Sequence, residues 1–182
     1  CIDIGNTTVT LGVFEGTRLA TTLRIATDTR KLADEYGLLV SSLLRQNGIG
    51  NASIESISMC SVVPHLTVVF EELCRSYFNV EPTTVTVGVR TGLRISYDNP
   101  RDVGSDRIVD AVAASHLYGP PLIIVDFGTA TVFDAVSRDG TYLGGAIFPG
   151  INVAAESLFH STAQLRRVEL IAPGSAIGQN TT

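Results

Sequence analysis

The sequence predicts an α/β protein built as two similar lobes, each a mixed sheet with flanking helices. Three observations predict it. Alternating, strand-like apolar runs are interleaved with segments whose apolar residues recur at helical intervals. One phrase, an apolar strand followed by Asp, apolar, Gly and then hydroxyl or amide residues, occurs twice: Asp3-Ile4-Gly5-Asn6-Thr7-Thr8-Val9 and Asp126-Phe127-Gly128-Thr129-Ala130-Thr131-Val132. Each copy then runs into a hairpin with glycine at its turn, Gly16-Thr17 and Gly140-Thr141. The expected lobes are residues 1–115 and 116–182, with the second incomplete.

Taken in order, Ile2 to Phe14 alternates around Gly5-Asn6 and Gly12, and Leu19 to Ile25 alternates after Gly16-Thr17, so strands joined by tight turns are expected. Leu32, Leu38, Leu39, Leu43 and Leu44 predict a helix over Leu32 to Arg45 that stops at Asn47-Gly48. Ile54 to Val63 reads as a strand closed by Pro64, Leu66 to Phe78 as a helix and Thr83 to Val87 as a short strand. After the turn Tyr97-Asp98-Asn99-Pro100, Val103 to Leu117 is helical, with Asp106 in its first turn. Leu122-Ile123-Ile124-Val125 is apolar throughout, as in strands buried on both faces. A second hairpin, Thr131 to Ala135 and Thr141 to Ala146, precedes a helix near Asn152 to Ser161.

At 182 residues, 45% hydrophobic and 17% charged, the chain can bury a core and is too apolar for disorder. Cys1, Cys60 and Cys74 are odd in number and widely spaced, which suggests neither a disulfide framework nor a zinc site. A reducing, cytoplasmic setting is expected, since neither a leader pattern nor a bilayer-length apolar run is visible. A net charge of −5 without a basic cluster argues against nucleic acid as the main partner, and Arg166-Arg167 reads as a solvated helix face. The opening at Cys1-Ile2-Asp3, partway into a strand, and the stop after a turn signal lead us to expect further residues at both ends, more of them at the C-terminus.

The repeated phrase suits phosphate chemistry. Glycine lets the backbone turn sharply and approach a phosphate, the following N–H groups and Thr hydroxyls donate to its oxygens, and Asp at the strand end can hold a cation or its waters. One copy alone would be an ordinary hairpin turn. Two copies after apolar strands favour a pair of loops gripping one polyphosphate. No GxxxxGK[ST] is present, and Gly144-Gly145 does not extend to a dinucleotide fingerprint.

A longer series of segments carries a resemblance: Asp3-x-Gly5-Asn6-Thr7, Ser61-Val62-Val63-Pro64, Thr91-Gly92-Leu93, Tyr97-x-Asn99-Pro100, Gly104-Ser105-Asp106-Arg107, Asp126-Phe127-Gly128-Thr129, Gly144-Gly145-Ala146-Ile147-x-Pro149-Gly150 and Gly178-Gln179-Asn180-Thr181. In order and spacing these resemble the type III pantothenate kinases, over essentially the whole chain. That family belongs to the actin, Hsp70 and sugar-kinase superfamily, whose two ribonuclease-H-like lobes close over ATP.

The resemblance implies ATP-dependent phosphorylation of pantothenate to 4'-phosphopantothenate, the first step of coenzyme A biosynthesis, by a homodimer. It implies that Asp3, Ile4, Gly5, Asn6, Thr7, Thr8, Val9 and Thr10 form the first phosphate loop, with Gly128 and Thr129 also contacting ATP. It assigns Tyr97, Gly104, Ser105, Asp106, Arg107 and Thr181 to pantothenate, Asp106 as catalytic base, and Asp126 to a monovalent cation, K+ or NH4+. Asp3 is a further candidate, holding Mg2+ through water. Ser105 stands where the family often has Ala, and Gln179 where it often has Lys. The family's chain continues past the Asn-Thr motif into structure that shapes the nucleotide pocket.

Other roles stay open for these residues. Asp in a first helical turn also complements the helix dipole, Tyr97 suits a half-buried strand, and Arg107 alone would read as a surface residue. His65, His116 and His160 lack ligand spacing, and Glu156 reads as part of a solvated face. Two rival functions are a non-catalytic ATP-binding regulator of the same superfamily and a kinase for another small hydroxy acid. The first would have no need of Tyr97 or of Gly104 to Arg107.

Overall fold

A computed structural model of the chain describes every residue except 87, 169, 173 and 180–182. The first sheet holds β1 (Ile2–Ile4), β2 (Thr8–Glu15), β3 (Arg18–Ala26), β4 (Ser58–Ser61) and β5 (Thr83–Thr84), in the order β3-β2-β1-β4-β5. β1, β2 and β3 form an antiparallel meander, and β4 and β5 continue the sheet in parallel on the other side of β1.

Two helices cover one face. α1 (Ala33–Gln46) starts where Glu35 accepts the Leu32 N–H at 2.9 Å and carries Asp34 and Glu35 in its first turn, where acidic groups suit the dipole. α2 (Pro64–Leu73) has Pro at its start, where no N–H is needed, and continues as a π turn over Cys74–Phe78. Ile2, Ile4, Val9 and Leu11 of the sheet meet Tyr36, Val40 and Leu44 of α1 and Leu66, Phe70 and Leu73 of α2. This is the larger core.

The second sheet holds β6 (Arg94–Ile95), β7 (Leu122–Phe127), β8 (Ala130–Val136) and β9 (Thr141–Pro149), in the order β6-β9-β8-β7. β7, β8 and β9 repeat the antiparallel meander of β1, β2 and β3. The helices are α3 (Ser105–Tyr118) and α4 (Ile151–Ser161). α3 rests on β7 and β8 and also reaches β4, so it bridges the two sheets. Its Ile108 and Ala111 join Val103, Val136 and Tyr142 in a second, smaller core.

The expected strands and helices are present with shifted ends, the strand expected over Thr83 to Val87 being Thr83–Thr84 with Val87 outside the described residues, and the fold is α/β with two mixed sheets. The strand expected from Ile54 begins only at Ser58, because Asn51–Ser53 forms a 3-10 turn ahead of it. The two-residue β6 is too short to show a period. The lobe boundary expected at 115/116 falls inside α3. Ile108 and Ala111 of that helix, with Ile95 packed against them, belong to the second core. Arg166 and Arg167, expected on a helix face, lie beyond α4, and Arg167 pairs with Glu156.

The register refines the repeat. Ile4 lies opposite Val9, and Phe127 opposite Thr131, so the first loop is one residue longer than the second. The lobes also differ in cover. Ile2, Ile4 and Leu11 are buried beneath α1 and α2, whereas their counterparts Val125, Phe127 and Phe133 are 41%, 70% and 39% exposed.

Candidate active site

The two glycine loops follow β1, which pairs with the β4 that α3 reaches, and β7, on which α3 packs. On β1, Asp3 lies between Thr10 and Cys60 on the neighbouring strands, and period two sends its side chain away from the Ile2 and Ile4 face. The Cys60 thiol donates to Asp3 Oδ1 at 3.4 Å. The Gly5 N–H donates to the Thr8 carbonyl at 3.1 Å, and a Cβ at residue 5 would stand 3.0 Å from that oxygen. Thr27 fastens the loop to the end of β3: its hydroxyl donates to the Gly5 carbonyl at 2.7 Å and its N–H to the Thr7 carbonyl at 3.0 Å.

The second loop is closed in a related way. The Gly128 N–H donates to the Ala130 carbonyl and the Gly150 N–H to the Thr129 carbonyl, both at 2.9 Å. A Cβ on Gly150 would lie 2.2 Å from the Gly128 oxygen, so only glycine permits this approach before α4. The loops meet through the hydroxyls of Thr7 and Thr129, 2.7 Å apart.

The start of α3 supplies the third part. The Ser105 hydroxyl donates to the Ser61 carbonyl at 2.9 Å and accepts the Ser61 N–H at 3.1 Å, which pins the helix to the end of β4. Asp106 accepts the Arg107 N–H at 2.8 Å, and its carboxylate lies over Gly104, where a Cβ would be 2.3 Å from Oδ1. Beside this turn a cavity of about 330 Å³ opens among Ser61, Val62, Thr84, Val103, Gly104 and Ser105.

Acidic groups act on one another across this junction. Burial raises the Asp3 carboxyl above its ordinary range, the Cys60 thiol partly offsets this, and Asp106 and Asp126 add to the rise. Burial, then Asp106 and Asp134, raise Asp126. Asp110 is pushed up to about 6 by burial and then by Asp126, Asp106 and Asp3. Such concentrated negative charge suits cations and the cation-bound polyphosphate that two glycine loops can cradle. Among the described residues, no three or more His, Cys, Asp or Glu side chains converge as a metal cage.

The model of the family described as type III pantothenate kinase matches residues 1–182, the whole chain. The chain belongs to that family. Solved structures also resemble it. A conserved putative Baf family transcriptional activator from Campylobacter jejuni superposes with a TM-score of 0.56 at 19% identity, over 99% of this chain and 68% of that one. The ethanolamine utilization protein EutJ from Carboxydothermus hydrogenoformans gives 0.49 at 15% identity, over 88% of this chain and 55% of that one. The first shares the fold.

The family's motif residues occupy distinct places in this kinase. Ile4 and Val9 are fully buried, so only their main chains can face a phosphate. Gly5, Asn6, Thr7 and Thr8 form the loop proper, Thr10 lies on β2 beside Asp3, and Gly128 and Thr129 form the second loop. Asp126 is the penultimate residue of β7, on the same face as Leu122 and Ile124, which pack on the second core. Tyr97 packs 6.5 Å from the Tyr142 ring and over Gly144, where φ is +101° and a Cβ would lie 2.8 Å from the Tyr97 ring. Arg107 is buried against Asp134. Thr181 lies outside the described residues.

Sequence reasoning missed Cys60, Asp110, Asp134 and Tyr142. Asp110 was within reach, because it follows Asp106 by one helical turn and so shares its face. The others depend on strand pairing that the sequence does not display.

Proposed function

We propose that this protein transfers the γ-phosphate of ATP to the primary hydroxyl of pantothenate, giving 4'-phosphopantothenate for coenzyme A biosynthesis. One observation carries the reading: in a chain matched end to end by the family, the Thr7 and Thr129 loops meet, and Ile4, at the base of the first loop, pairs with the Ser61 to which the α3 turn of Asp106 is pinned.

In this reading the main-chain N–H groups of Gly5 to Thr8 and of Gly128 and Thr129 bind phosphate oxygens, and the two Thr hydroxyls turn from each other to the ligand. Asp106 accepts the substrate hydroxyl's proton as that oxygen attacks the γ-phosphorus and the ADP oxygen leaves. Tyr97, Gly104, Ser105, Arg107 and Thr181 orient pantothenate. Asp3, through water, and Asp126 would hold Mg2+ and K+ or NH4+, which supply neutralisation of phosphate charge. The homodimer and the cytoplasmic setting belong to the same reading.

The test is mass spectrometry of the natural full-length protein with ATP, Mg2+, K+ and pantothenate. A phosphopantothenate peak is expected. ATP binding without product would favour a regulator or another acceptor. Equal rates in potassium, sodium and lithium would remove the role given to Asp126.

A further inference from the structure

Arg107, on the first turn of α3, is only 8% exposed, and Asp134 beside it 4%. Asp134 Oδ1 accepts Arg107 Nη2 at 2.5 Å and Nε at 3.1 Å, while Oδ2 accepts Nε at 3.3 Å. Tyr142, fully buried on β9, donates its hydroxyl to the same Oδ1 at 2.7 Å. Its ring centroid lies 5.8 Å from Arg107 Cζ. Gly145 makes the space, since a Cβ there would be 2.5 Å from Asp134 Oδ1 and 1.8 Å from the Phe133 carbonyl.

Burying an ion pair this deeply is a poor source of stability, because desolvation cancels much of the attraction. What the pair does supply is direction. A guanidinium is a rigid planar fork, so fixing Nε and Nη2 also fixes where Nη1 points. Burial disfavours the charged guanidinium, and Asp134 first, then Tyr142 and Tyr97, which packs against Tyr142, more than offset it.

We infer that Asp134 and Tyr142 are positioning residues for the acceptor site: they hold Arg107 so that Nη1, outside the fork, is presented beside Tyr97 to the carboxylate of an acidic substrate. The inference rests on the pantothenate-kinase reading and extends it to two residues that never touch the substrate.

Asp134→Asn leaves a buried cation short of its counter-charge and can cost the fold, so Tyr142→Phe carries the test. It deletes one hydroxyl and keeps the ring. In the natural full-length protein the KM for pantothenate is expected to rise about tenfold, the scale of a hydrogen bond to a charged group. The KM for ATP should not move. A neutral acceptor, with the carboxylate replaced by a primary amide, should show the same KM with parent and variant. Calorimetric binding of pantothenate alone should weaken in parallel. An active parent whose Tyr142→Phe variant shifts neither KM, shifts both equally, or shifts the neutral acceptor as much as the acid overturns the inference and leaves the kinase reading standing. A parent that neither binds nor phosphorylates pantothenate overturns both.

Discussion

The hydroxyls of Thr7 and Thr129 lie 2.7 Å apart, although 122 positions separate them in the chain. Each lies in the glycine loop after the first strand of an antiparallel meander, one in each sheet, so this contact is one of the places where the duplicated halves touch. Hydroxyls that satisfy one another can turn to a phosphate without leaving a group unpaired. Thr129→Val is therefore expected to raise the KM for ATP about tenfold, as for loss of a hydrogen bond to a charged acceptor, with little change in the KM for pantothenate. Steady-state kinetics with each substrate varied in turn checks this; an unchanged KM for ATP would remove Thr129 from the phosphate site.

Two constraints that do not involve a substrate hold Asp106, the residue proposed above as the base. Ser105 pins its turn to Ser61, and Gly104 leaves room for its carboxylate. Asp106→Asn keeps shape and removes basicity, so kcat should fall by about 10²–10⁴-fold, the usual contribution of a positioned acid or base. The KM values should stay near those of the parent. A variant turning over at close to the parent rate would show that Asp106 is not the base.

How much of this was legible in the sequence depends on the range of the interaction. Strand alternation and helical spacing are local, so β2, β3, α1 and α3 were predicted within a few residues. The repeat exposed the duplication, because Asp and Gly at a strand end are also a local pattern. It did not reveal that the first loop carries one extra residue, since that appears only when Ile4 pairs with Val9 and Phe127 with Thr131. Nor did it reveal that α3 packs on β7 and β8, which follow it in the chain, as well as reaching β4. Arg107 read alone as a surface residue for a similar reason: its partner Asp134 comes 27 positions later, on another element.

Adjacent glycines in the sequence turn out to be required for steric reasons at Gly145. A methyl group there would collide with the Phe133 carbonyl, which is backbone and cannot move aside. Gly145→Ala should cost about 3 kcal/mol, the upper end of overpacking penalties. Gly16 differs: its φ is +60°, yet a Cβ there meets nothing within 4 Å. Gly16→Ala should cost only about 1–2 kcal/mol, the strain of a left-handed residue. Urea unfolding of the two variants side by side checks the contrast, and equal losses would mean that the crowding at Gly145 is relieved elsewhere.

Asp110 gives the site a pH dependence of stability whose sign follows from its surroundings. Burial and then Asp126, Asp106 and Asp3 raise its pKa to about 6 from an ordinary 3.8. Between those values the folded chain keeps a proton that the unfolded chain has released, so stability falls as pH rises across that window and stays lowered above it. Asp110→Asn keeps the side chain's shape and removes the ionisation. In a buffer poor in Mg2+ and K+, parent and variant should melt together near about pH 4, where both carry a neutral group, and the variant should melt several degrees higher at about pH 7.5, since each pKa unit is worth about 1.4 kcal/mol and each kcal/mol moves a domain of this size by about 2–4 °C. Adding the cations should narrow the gap by neutralising the carboxylates that repel Asp110. Melting curves across that range decide the matter: a gap that stays constant with pH would mean that the substitution acts through packing.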